Sequence, residues 1–160
     1  MAVDMFLKLD GIEGESKDAK HKGELDIESF SFGASNPGST SGGTGGGAGQ
    51  VSMNDFSFTT QVSKASPKLF LACASGQHLK TAVLSVRKAG GQQQDFLKVT
   101  LSDVTVSGYH EAASEASDVL ADHVTMGFAK IQVSYSGPRP DGALDTPVTV
   151  GWDLKKNAKF

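Results

Sequence analysis

Four histidines, one cysteine and a glycine-rich run are the features of this chain whose residue types most readily do chemistry. His21 stands between Lys20 and Lys22, a flank that disfavours a second positive charge and reads as a solvated loop histidine. His78 follows a predicted helix, where a cation near the last carbonyls is mildly favourable. His110 and His123 bracket the stretch 107–122, with Glu111, Glu115, Asp118 and Asp122 near them, yet no ligand spacing marks a metal site. Serines are plentiful, but none lies in a G-x-S-x-G elbow, so a hydrolase triad is not expected. Cys73 sits among apolar residues and reads as core, and one cysteine alone makes neither an intrachain disulfide framework nor a cysteine zinc cage. The expectation is of no catalytic residue, no cofactor and no metal.

The glycine run covers residues 33–49 and holds eight of the nineteen glycines, three serines, two threonines and no charge. A phosphate-cradling loop needs set spacing, a Gly-Lys-Ser/Thr ending or a G-x-G-x-x-G, and then a helix. This run has no lysine and leads into a strand, which rejects nucleotide binding. Ordering so many glycines is entropically costly, and nothing in the run can build a core. It reads as a long hairpin loop that orders only against something outside the subunit.

The elements around these residues are mostly strands. Leu25 and Ile27 are apolar at odd positions, then Phe30 and Phe32 at even ones; beyond the loop Val51 and Met53 are odd, Phe56 and Phe58 even. A register with Phe32 opposite Val51, Phe30 opposite Met53, Ile27 opposite Phe56 and Leu25 opposite Phe58 makes both strands change buried face at one height. The pattern repeats downstream: Leu97, Val99 and Leu101 give way to Val104 and Val106, and Val124, Met126 and Phe128 to Ile131, Val133 and Tyr135. Val106 opposite Val124 and Leu97 opposite Val133 again align the switches, with 107–122 as a long polar loop between them. Strands that change face mid-length occur where sheets curl or cover a second surface, such as another subunit. Simple alternation marks Val3 to Leu9, Ala82 to Val86, and the row Val148, Val150, Trp152 and Leu154. The charged stretch 13–28 reads as solvated surface.

One helix is predicted over about 66–75, with Ser66 as N-cap, Pro67 in the first turn and Gly76 closing the end. Its interior, Leu69 to Ala74, is apolar on every side, so the barrel or a neighbouring chain must cover it. Leu71 is expected in the core, where Leu71→Asp would abolish folding and assembly together. The fold expected is mainly β: a small antiparallel β-barrel of two curled sheets and about seven strands, closed by one early and one late strand, with this short flanking helix and the extended glycine hairpin loop 33–49. All 160 residues read as one domain.

Composition narrows the function classes. Fifteen basic against eighteen acidic residues give a net charge of −3, which speaks against nucleic-acid binding. An apolar share of 38% argues against global disorder, and no apolar run reaches the roughly 20 residues of a membrane helix, so no membrane insertion is expected. MAVDMFLKLDG carries Asp4 within its apolar stretch and reads as a first strand and not as a Sec signal.

Three further segments carry a resemblance. MAVDMFLKLDGIEGESKDAKHKGELDI, KASPKLFLACASGQHLKTAVLSVRKAGG and FLKVTLSDVTVSGY with the terminal VGWDL are similar to haemolysin-coregulated proteins (Hcp), the inner-tube subunits of the bacterial type VI secretion system. The resemblance runs from Met1 to about Lys156, with a longer, more glycine-rich loop at 33–49 as the departure. It implies a homo-hexameric ring, rings stacked into a hollow tube, a contractile sheath around it, a spike protein on its tip and small effector proteins in its lumen. It further implies assembly in the cytoplasm of a Gram-negative bacterium and secretion without a Sec signal peptide. The family's corresponding loop reaches toward the next ring, so Ser35, Asn36, Thr40, Gly42 and Gly46 are candidate contacts, and Phe70 and Leu71 are candidate contacts on the helix. The alternative expectation is a free ring that carries effectors without forming a stable tube. No enzymatic activity is expected.

Overall fold

The computed structural model describes residues 2–37, 50–90, 93–116, 118 and 120–160. In chain order its elements are β1 (Val3–Leu9), β2 (Leu25–Ser31), β3 (Ala34–Ser35), β4 (Ser52–Met53), β5 (Phe56–Gln61), α1 (Ser66–Ser75), β6 (His78–Lys88), β7 (Asp95–Ala112), β8 (Ala121–Gly127), β9 (Lys130–Tyr135), β10 (Val148–Asp153) and β11 (Ala158–Lys159). The order β7-β6-β1-β2-β5-β8 returns to β7, which closes a six-stranded antiparallel barrel. Strands β9, β10 and β11 continue outward from the first half of β7 as an apron. The late strand expected to complete the barrel is therefore outside it; β8 performs the closure, and β10 pairs only with β9 and β11.

Alternating apolar residues of the six barrel strands point inward and fill the lumen of the barrel. Phe56, Phe58, Leu7, Leu25, Leu84, Val99, Leu101, Val104, Val124 and Met126 are all buried, as the period-two pattern requires. Both switches of face lie where the apolar phase slips. In β7 the slip falls at Asp103, whose φ of 54° breaks the pleat. On the returning side it falls at 128–129, between β8 and β9, where the Ala129 N–H donates to the Ser102 carbonyl. The first half of β7 thereby pairs with β9 and the second half with β8.

Registers differ from those expected. Phe30 faces Phe58 and not Met53, Ile27 faces Thr60 and not Phe56, and Ala34 faces Met53. A β-bulge between Ile27 and Ser29 and a break at Asn54–Asp55 absorb the phase slips on each strand separately, so the two slips need not be opposite. Downstream, Leu97 faces Tyr135 and Val106 faces Met126. That offset is an even number of residues, which preserves every buried face while moving every partner. Both ends of the polar stretch 107–122 are also strand: Gly108 to Ala112 pair with Thr125 back to Ala121. Its strand character carries no apolar alternation, because its outward row is polar and its inward row includes Tyr109 and Asp122.

Helix α1 has the expected bounds and ends on Gly76, whose φ of 67° lets its N–H reach the Ala72 carbonyl. Its start differs. Ala65 occupies the cap position, and Ser66 turns inward, donating to the buried carboxylate of Asp122 at 2.5 Å and accepting the Ser63 N–H at 3.0 Å. Leu69 and Ala72 seal against the barrel, whereas Phe70 and Leu71 do not.

The charged stretch 13–28 is not a solvated surface throughout. Its backbone folds back on itself just ahead of β2, through Gly14 N–H to the Gly23 carbonyl and Ser16 N–H to the Glu24 carbonyl. A Cβ on Gly14 would lie 2.5 Å from the Glu24 oxygen, so only glycine permits this approach. His21 is 6% exposed, not solvated: its ring stacks on Phe6 at 4.4 Å, Nδ1 lies 3.0 Å from Glu24 and Nε2 3.2 Å from Asp95. Beside it the buried Arg87 makes a two-pronged pair with Asp18 and sits 4.8 Å above the Phe6 ring. Lysine neighbours in sequence say little about His21, because its ring points away from them into this cluster.

Two outcomes are expected. A β-branched residue at a left-handed backbone position costs about 1–2 kcal/mol more than glycine. Asp103→Val should therefore lower the urea midpoint further than Asp103→Gly, although both lose the contacts to His78 and Lys155. Hydrogen bonds from Arg87 hold the Asp18 carboxyl at about 2, below its ordinary 3.8. Its contribution to stability is thus complete above the unfolded value, near pH 4, and is lost as pH falls toward 2. Asp18→Asn should lower stability at neutral pH and flatten the acid limb of the stability curve in that window; an unchanged limb would assign acid unfolding elsewhere.

Candidate functional site

Of the residues whose types could do chemistry, His110 and His123 are brought together as register partners across β7 and β8, and the other histidines and Cys73 lie elsewhere in the fold. Cys73 is half-buried and packed against the core, and His78 is bound to Asp103 at 2.9 Å. Among the described residues no group of three or more metal-ligating side chains is present. Of the candidate contact residues, Ser35 in β3 and Asn36 just beyond it are exposed; Thr40, Gly42 and Gly46 lie outside the described residues. The surface, not a catalytic pocket, carries the distinctive features.

The first is apolar. Phe70 and Leu71 are each 60% exposed on the outer side of α1, with Leu120 exposed as well. The Phe70 ring meets Tyr109 edge-on at 6.0 Å, which positions it over the second half of β7. The Tyr109 hydroxyl lies 2.8 Å from Glu111 and 2.9 Å from the buried Asp122, and burial together with those two carboxylates pushes its pKa up. Asp122 thus ties Tyr109 and the start of α1 together beneath the patch. Helix and patch are held as one piece.

A second apolar patch lies on the apron. Val148 and Val150 are 70% and 64% exposed, and Tyr135, directly opposite Val148, is exposed beside them. The alternation of β10 puts them in one row with Trp152, which packs against the core, but Val148 and Val150 lie beyond that cover among the described residues. Tyr135 pairs with Leu97, twelve residues before Tyr109 on β7. At roughly 3.3 Å per residue the two patches are separated by up to about 40 Å along one strand. They are carried by different elements and built of different residues, Phe70 and Leu71 on α1 against Val148 and Val150 on β10.

The third feature is a polar sheet face. Ser29, Thr59, His123 and His110 are successive partners across β2, β5, β8 and β7, and Ser31, Ser57, Thr125 and Gly108 form the next rung. Phe58 and Val124, between the rungs, point into the core, so these rungs face outward. Their hydroxyls bond across the strands, Ser29 to Thr59 at 2.6 Å and Ser31 to Ser57 at 2.9 Å. Together they line an open groove of about 490 Å³. Its signal in the sequence is Ser-Phe-Ser at 29–31 and Ser-Phe-Thr at 57–59, where hydroxyls alternate with the inward phenylalanines.

Comparison with known proteins agrees with this architecture. Residues 6–135 match the family model for the type VI secretion system effector Hcp. Protein hcp1 of Pseudomonas aeruginosa is 45% identical over 161 aligned residues, covering 99% of both chains. A solved structure described as a type six secretion system protein superposes with a TM-score of 0.93 at 29% identity, over 99% of this chain and 100% of the other. Hcp1 from Salmonella typhimurium gives 0.81 at 33% identity, with 99% and 100% covered.

Exposure of Leu71 reverses the expectation that a charge there abolishes folding. Leu71→Asp should leave the circular dichroism spectrum and thermal midpoint close to the parent, because the carboxylate stays in water. Loss of native signal would show instead that the helix needs a neighbour in order to fold.

Proposed function

Because the chain belongs to the Hcp family of type VI secretion system proteins, we propose that it is the subunit of a six-membered ring that stacks into the secreted inner tube of that system. The observation that carries this reading is the pair of unlike apolar patches at the two ends of β7, one around Phe70 and Leu71, the other around Val148 and Val150. Unlike patches on one chain favour a head-to-tail contact, and such contacts make a ring when the rotation between copies closes. Exposed apolar groups of this kind are costly to leave in water and are characteristic of interfaces. No helix in the described residues is long and apolar enough to cross a membrane. A soluble ring assembled inside the cell, then driven out by a contractile sheath behind a spike protein, is consistent with that.

The hydroxyl-lined groove supports a second role for the same ring, as carrier of small effector proteins. A wall of uncharged hydroxyls is hydrated and exchanges hydrogen bonds with a passing polypeptide without the grip of an apolar or charged surface. We assign this face to the lumen, and the segment 33–49 to contact between rings, where its glycines would make stacking weak and reversible.

Light scattering of the purified chain should give six chain masses, and Leu71→Asp or Val150→Asp should shift it toward one chain mass without loss of native circular dichroism. A parent that is monomeric at micromolar concentration would overturn the ring. Replacing residues 42–49 with Asn-Gly should leave rings whole while lowering tube formation and export; unchanged stacking would make the loop a passive spacer.

A further inference from the structure

We propose that His110 and His123 form a two-imidazole chelate for a late first-row divalent metal such as copper, nickel or zinc. The two residues are directly opposed in the β7–β8 register, so their side chains leave the sheet on the same face. Opposed residues on antiparallel strands have Cβ atoms about 4.5–5.5 Å apart. Two imidazoles on such bases can bring one nitrogen each within about 2.0–2.1 Å of a shared ion. Both rings are exposed and both line the outward groove with Ser29, Thr59 and Thr125, where no lysine or arginine competes for the position.

Their contrast with the other histidines is chemical. His21 is held by Glu24 and Asp95, and His78 by Asp103. His110 and His123 have no hydrogen-bond, ion-pair or ring partner among the described residues, so no existing contact has to break for the two rings to turn toward a shared ion. The neighbouring carboxylates are engaged elsewhere: Asp122 is buried against Ser66 and Tyr109, Glu111 accepts from Tyr109, and Asp55 accepts from Ser107. Imidazole is therefore the whole protein donor set. That selects against magnesium and calcium, which want oxygen, and orders the late metals with copper first. The remaining coordination positions stay open to water or to a donor group on a bound polypeptide. The site is complete within one chain and does not rest on the ring.

The test uses the full untagged chain at pH 7.5, titrated separately with copper, nickel and zinc chlorides and with magnesium as control. One zinc or nickel ion per chain is expected, with copper bound more tightly and magnesium not at all. His110→Gln and His123→Gln should each weaken zinc binding at least tenfold, whereas His78→Gln should not change it. In the parent, the imidazole nitrogen resonances of His110 and His123 should move together in the same zinc titration step. Absence of saturable zinc or nickel binding, or binding unaltered in both glutamine variants, would overturn the proposal.

Discussion

Closure of the barrel rests on one strand. β7 must pair with β6 along its first part, with β9 on its other edge, and with β8 beyond the turn in its pleat. A straight strand could not exchange β9 for β8 without leaving a row of unpaired amides at the exchange. Asp103 supplies the change of direction through its left-handed backbone, and β8 and β9 separate at the same height. The barrel, the apron and the two apolar patches at their far ends all follow from that single break.

The buried charge cluster solves a different problem. The segment between β1 and β2 is long and rich in acids and lysines, and it would cover the barrel poorly if left in water. Arg87 reaches it from β6, pairing with Asp18 while lying over Phe6, and His21 stacks on that same ring. Removing one partner leaves a buried charge uncompensated, so such a cluster acts as a specificity device: it holds one placement of the segment even where its net contribution to stability is modest.

What remains on the outside is divided by chemistry. Leu69 and Ala72 anchor α1, and the same helix turns Phe70 and Leu71 to solvent. The apron does likewise with Val148 and Val150. On the outward face of β2, β5, β8 and the second half of β7 the barrel wall carries hydroxyls and two histidines in cross-strand rungs. A surface organised into two sticky ends and a wet wall suits a building block whose contacts lie along defined directions and whose remaining face stays open to water.

The amino-acid sequence by itself determined the inward rows of the barrel, the bounds of α1 at Pro67 and Gly76, and the positions along each strand at which the apolar phase slips, because period and turn chemistry are local properties. The resemblance of its segments to one family was equally legible. Register was not, since a shift of two residues keeps every buried face intact, and a bulge at Ile27–Ser29 moves partners without disturbing the apolar count. Nor was the fate of individual side chains. Leu71 and Val150 are as apolar as Leu69 and Val99, and only packing decides which of them meets the core. His21 lies among lysines in sequence and between carboxylates in space, and His110 and His123 are distant in sequence yet opposed across one pair of strands. Burial and juxtaposition depend on which strands lie side by side, and that is a property of the closed sheet and not of any one segment.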